Sequence, residues 1–231
     1  FLITKENGDL FYVRFFDSEN PNKTLFQVTN QITQEGSYKN RYDVTLLING
    51  LPLVQIELKR KGIELKEAYN QVERYKRHSF WSNYGIFNFV QLFVISNGTA
   101  SKYFCNNPAT TMTFAQTNYW ADKENKNILE LTAFANSFLA KENLGKIIAN
   151  YIVINETLKQ LMVLRPYQYY AAEAIVNQVK SGNENGYIWH TTGSGKTLTS
   201  FKASQIVMDL PQVDKVLFVV QAPYAAEFEE R

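Results

Sequence analysis

A chain of 231 residues exceeds one average domain, so two domains, or one and a part, is the organisation to expect. Its apolar share of 45% supplies an ordinary core, while a net charge of +2 is too small to mark a nucleic-acid binder, leaving local clusters of Lys and Arg as the only route to phosphates. One cysteine and two histidines exclude a disulfide framework, a cysteine-rich zinc site and a multi-histidine metal site, and no apolar run reaches the roughly 18–20 residues of a membrane span.

The chain opens on Phe1-Leu2-Ile3 without an initiator Met and reads as a piece of something longer. Residues 10–16 alternate weakly and predict a strand, closed by turn chemistry at Asn20-Pro21-Asn22. A second extended segment covers 25–31, and two more cover 41–48 and 53–59. Asn49-Gly50 between the last two is a strong short-range hairpin signal, so 41–59 is expected to fold as a β-hairpin. Residues 64–78 lack Gly and Pro and place Leu65, Ala68, Tyr69, Val72 and Tyr75 at helical spacing. A buried strand is expected over 87–96, with 102–105 paired beside it. Helices or helical turns follow over 127–138 and 144–151. This order predicts a mixed α/β domain over 1–150.

A second pattern, the beginning of a further domain over 151–231, predicts a helix over 167–179 with Arg165-Pro166 at its start. A short strand is expected at 187–190, a glycine-containing loop at 191–196, a helix at 197–209 and a buried strand at 215–220. Strand, loop, helix and strand form a βαβ unit, the opening of a parallel sheet of nucleotide-binding type.

The loop is the most specific motif. In His190-Thr191-Thr192-Gly193-Ser194-Gly195-Lys196-Thr197, the glycines allow backbone N–H groups to close around phosphates. Lys196 would neutralise the β- and γ-phosphates of ATP, and the Thr197 hydroxyl would ligate Mg²⁺. The following helix adds its positive N-terminal end. His190 departs from the general pattern, which begins with Gly. Upstream, Leu164-Arg165-Pro166-Tyr167-Gln168 resembles the adenine-reading segment of superfamily 2 helicases, which implies Gln168 as the adenine reader.

The hairpin holds a second constellation. Glu57 and Lys59, two apart on one strand, project to one face, and the turn can bring Asp43 beside them. Two carboxylates and a lysine suit Mg²⁺-dependent phosphodiester hydrolysis, with Asp43 and Glu57 as metal ligands and the Leu58 carbonyl as a further one. Gln71 and Tyr75 follow on one helical face. The basic residues Lys59, Arg60 and Lys61, with Arg74, Lys76 and Arg77, could grip DNA phosphates without reading sequence.

Asp43…Glu57-Leu58-Lys59 followed by Gln71…Tyr75 resembles the PD-(D/E)xK nucleases of the RecB-like branch. Joined to the phosphate loop, the arrangement is similar to the restriction subunit (HsdR) of type I restriction–modification enzymes. The resemblance runs to about Val220 and includes Ile95-Ser96-Asn97-Gly98. It implies catalytic Asp43, Glu57 and Lys59, with Gln71 and Tyr75 supporting the site or contacting DNA. It implies Thr192, Gly193, Ser194, Gly195, Lys196 and Thr197 around the nucleotide. It also implies double-stranded DNA as substrate, methyltransferase and specificity subunits as partners, and a bacterial or archaeal cytoplasm, to which the lone Cys105 is suited. The Glu-bearing helix that opens this nuclease fold would precede Phe1, and no Asp-Glu motif follows the phosphate loop. ATP hydrolysis is therefore expected to need residues outside the chain. Two other readings are a type III-like or other phage-defence helicase–nuclease, and an inactive nuclease fold serving as a DNA-binding or coupling scaffold.

Overall fold

The computed structural model describes residues 2–12, 23–34, 40–77, 85–109, 111–182 and 184–219. The chain divides into two units, Phe1–Pro166 and Tyr167–Arg231.

The first unit begins with a small hairpin, β1 (Leu2–Thr4) and β2 (Leu10–Tyr12). Of the strand expected over 10–16, residues 13–16 lie outside the described residues. A five-stranded mixed sheet follows, in the order β3 (Phe26–Gln34), β4 (Asn40–Ile48), β5 (Leu51–Leu58), β6 (Leu92–Ser96), β7 (Ser101–Cys105). All neighbours are antiparallel except β5 and β6, which the helix α1 (Leu65–Tyr75) connects as a parallel pair.

The Asn-Gly signal is realised. Asn49 and Gly50 adopt φ of 50° and 82°, the two left-handed residues of a tight hairpin turn, and Ile48 pairs with Leu51 across it. The turn is also tied to the start of β3, since Asn49 Oδ1 accepts from the Leu25 N–H at 2.8 Å. Between Leu46 and Leu47 the β4–β5 register shifts at a β-bulge.

Sequence periodicity decides what α1 buries. Leu65, Ala68, Tyr69, Val72 and Tyr75 face a core shared with Tyr42, Phe93, Ile95 and Phe104. The Tyr42 and Tyr75 rings meet edge to face at 5.2 Å. Each fully buried side chain of this size stabilises the fold by about 1.5–3 kcal/mol. Successive strand residues alternate faces, so Tyr103 points away from its neighbour Phe104 and joins a second cluster with Trp120, Phe134 and Phe138. That cluster packs α2 (Leu131–Ser137), which α3 (Lys141–Asn150) follows.

Three expectations are corrected in this unit. The strand expected over 87–96 starts only at Leu92, because residues 86–89 form a short 3-10 turn that buries Phe87 and leaves Phe89 exposed. A hairpin of β8 (Ile152–Asn155) and β9 (Gln160–Val163) lies in a stretch the sequence did not mark as extended. Lys76 is no part of a basic surface. It is 0% exposed, paired with Glu73 at 2.7 Å and set over the Phe93 and Phe104 rings.

The second unit contains α4 (Pro166–Ser181) from Tyr167 onward, and α5 (Lys196–Met208). The strands expected at 187–190 and 215–220 are not formed over their described residues. Tyr187 and Trp189 are 85% and 88% exposed, and Leu217 is 88% exposed. Parallel strands draw their hydrogen bonds from neighbours on either side, and the described residues of this unit include no strand to pair with.

Candidate metal and nucleotide sites

The chain gathers all five residues singled out on the hairpin and α1. Continuing the Val44–Ile56 register by one residue sets Asp43 across from Glu57. Asp43 Oδ2 accepts the Leu58 N–H at 2.8 Å, so its carboxylate lies across the β4–β5 seam. Lys59 Nζ donates to Glu57 Oε1 at 2.7 Å and also to Gln71 Oε1. Gln71 Nε2 donates to the Tyr75 hydroxyl, which donates to the Arg41 carbonyl at 3.1 Å. One continuous chain of polar contacts therefore runs from Glu57 through Lys59, Gln71 and Tyr75 back to β4.

Glu57 is the unusual member. It is 1% exposed, and its Oε2 has no hydrogen-bond partner. Burial pushes its carboxyl up to about 7; the Lys59 contact works against this, and the nearby Asp43 charge adds to it. A buried acceptor left unsatisfied is costly. A cation between the two strands would satisfy it. Two carboxylates suit Mg²⁺, which keeps several waters and takes few protein ligands. Among the described residues no group of three or more His, Cys, Asp and Glu could hold a metal, so a cation here would draw on two carboxylates and otherwise on water. Arg60, Lys61, Arg74 and Arg77 are exposed.

In the second unit, Gly193 and Gly195 have φ of 76° and 79°, the left-handed conformation that closes the loop. A Cβ on Gly195 would lie 2.4 Å from Gln168 Nε2. The Thr191 carbonyl accepts from Ser194 Oγ at 2.7 Å and from Lys196 Nζ at 3.0 Å, which folds the loop on itself. Thr192 and Gly193 are exposed at its rim, and α5 begins at Lys196 with Thr197 half-buried in its first turn. Gln168 is buried, and its amide donates to the Ser194 carbonyl at 3.1 Å. Tyr167, which the sequence did not single out, donates its hydroxyl to the same carbonyl at 2.9 Å. Nothing in the motif pattern marks that residue; only its place beside Gln168 could have done so.

Two family models match stretches of this chain. Residues 2–111 match the family model of the type I restriction enzyme R protein N terminus, and residues 161–224 match that of the type III restriction enzyme res subunit. The endonuclease subunit of type I restriction enzyme SauCOLORF180P from Staphylococcus aureus (strain COL) is 49% identical over 218 residues, covering 94% of this chain. The EcoprrI endonuclease subunit of Escherichia coli is 42% identical over 177 residues, covering 76% of this chain and 56% of the relative. A putative type I enzyme, MjaVIIIP, from Methanocaldococcus jannaschii is 28% identical over 224 residues, 90% of this chain and 21% of the relative. The chain belongs to the family of type I restriction enzyme endonuclease subunits, the R proteins. It spans 23% of the length of the Staphylococcus aureus relative.

Proposed function

We propose that the first unit is a Mg²⁺-dependent endonuclease domain of the PD-(D/E)xK type, cutting double-stranded DNA, and that the second is the beginning of a RecA-like ATPase domain. The observation that carries the nuclease reading is the buried Glu57 carboxylate, one oxygen bound by Lys59 and the other without a partner. Asp43 and Glu57 would hold the cation, which when bound supplies charge neutralisation for the phosphodiester and acidifies a water. Lys59, held by Glu57 and Gln71, is placed to stabilise negative charge as the new P–O bond forms and the leaving oxygen departs. Gln71 and Tyr75 hold that ammonium in position. Arg60, Lys61, Arg74 and Arg77 would bind the DNA backbone irrespective of sequence.

In the second unit Gln168 reads adenine, residues 192–196 surround the phosphates, and Thr197 takes part in holding the nucleotide's Mg²⁺. In the full-length subunit, ATP-driven translocation would bring DNA to the nuclease, within a cytoplasmic complex containing methyltransferase and specificity subunits. The test uses the full-length subunit assembled with those partners. Glu57→Ala abolishes cutting and leaves translocation intact, whereas Lys196→Ala stops both. Continued cutting by Glu57→Ala would sink the nuclease assignment.

A further inference from the structure

The Ser194 carbonyl receives two donors from consecutive residues in the first turn of α4, the Tyr167 hydroxyl at 2.9 Å and the Gln168 amide at 3.1 Å. A carbonyl oxygen has two lone pairs, so these donors fill it and fix the plane of the peptide joining Ser194 to Gly195. That peptide is trans, and in a trans unit the C=O and the following N–H point to opposite sides. Holding the Ser194 oxygen toward α4 therefore turns the Gly195 N–H away from it, to the side on which a phosphate would sit. The absence of a side chain at Gly195 is what lets α4 come this close.

His190 completes the arrangement. It stands where the general phosphate-loop pattern carries Gly, and its ring packs edge-on against Tyr167 at 5.7 Å and 85°. The departure from the pattern thus places an aromatic ring against the residue that grips the loop.

We propose that Tyr167 is a positioning residue of the nucleotide loop, orienting the Ser194–Gly195 peptide toward the triphosphate and itself held by His190. This rests on the nucleotide-binding reading of residues 191–197. Its effect is directed at phosphates and does not depend on the base, which separates it from the adenine-reading part of Gln168.

The experiment titrates the full-length subunit with Mg·ATP and with Mg-bound inorganic triphosphate, alongside thermal melts. Removing one hydrogen bond with Tyr167→Phe weakens both ligands by the same factor, roughly 3–10-fold, with the melting temperature unmoved. His190→Ala, which keeps the hydroxyl but removes the ring beside it, gives a smaller loss of the same kind and decides the matter if Tyr167→Phe does not fold. Unchanged affinities, a loss confined to ATP, or a loss that merely follows a fall in stability would overturn the proposal. Lys196→Ala separates the two levels. If it binds inorganic triphosphate as well as the wild type, the nucleotide-loop reading falls too; if it abolishes binding while Tyr167→Phe is silent, only the role of Tyr167 falls.

Discussion

Lys59 Nζ lies 2.7 Å from Glu57 Oε1, while the other oxygen of that buried carboxylate has no hydrogen-bond partner. The pair is thus half of an ionic arrangement, and its energetics depend on whether a cation completes it.

The first consequence is a pH dependence of stability. The folded-state pKa of Glu57, about 7, is raised above its ordinary value of 4.5. Between those values the folded chain holds the proton and the unfolded chain has released it, so stability falls as pH rises through this window. The difference corresponds to about 3 kcal/mol once the pH is above 7. In EDTA, the urea midpoint of the wild type should drop between pH 5 and 7.5 by more than that of Glu57→Gln. On the proposed metal site, Mg²⁺ should recover much of the loss at the upper end, since a cation beside the carboxylate favours its ionised form. Parallel curves for wild type and variant would refute the assignment.

Gln71 touches Lys59 and Tyr75 without belonging to the ionic pair. Gln71→Ala should leave the fold intact and lower DNA cleavage by roughly 10–100-fold, as removal of groups that orient metal-site residues does. Translocation should be unchanged. Cleavage at wild-type rate would mean that Lys59 needs no such support.

Lys76 and Glu73 form a buried ion pair far from any surface role. Burial holds the Lys76 ammonium below its ordinary pKa, with the Glu73 contact opposing. Glu73→Leu leaves an unpaired charge against Phe93 and Phe104 and should cost about 3–5 kcal/mol in urea unfolding. Adding Lys76→Met to that variant should restore part of the loss. A double variant less stable than the single one would contradict this account.

Gly195→Ala combines a left-handed backbone with a Cβ 2.4 Å from the Gln168 amide. The loop must then move, so Mg·ATP affinity should fall by at least tenfold. Calorimetric titration of the full-length subunit measures it.

Much of the first unit was legible because its signals are local. Asn49-Gly50 determines a hairpin turn by steric preference alone, and the spacing from Leu65 to Tyr75 identifies the buried side of α1. Asp43, Glu57 and Lys59 could be grouped from strand alternation once that turn was recognised. What failed depended on neighbours distant in sequence. Lys76 reads as a surface residue until Glu73 and two Phe rings enclose it. Residues 187–190 and 215–219 have strand composition, but composition provides no partner strand. The polar chain through Gln71 to the Arg41 carbonyl needed the tertiary fold to become visible.

The bulge near Leu46 has a consequence for the chemistry that the turn alone does not fix. Ile48 faces Leu51 and Leu47 faces Pro52, a count that, carried straight down the ladder, would set Asp43 opposite Ile56. The register changes once on the way, with Leu46 facing Val54, and that single displaced residue delivers Glu57 to Asp43 instead. The ladder therefore works like a vernier, in which one notch separates a carboxylate pair from a mismatched aspartate. Leu53 is the residue the ladder skips, so deleting it would straighten β5 and still leave Glu57 opposite Asp43. Closing the bulge with Leu53 kept in the ladder would instead put Ile56 there and dissolve the site.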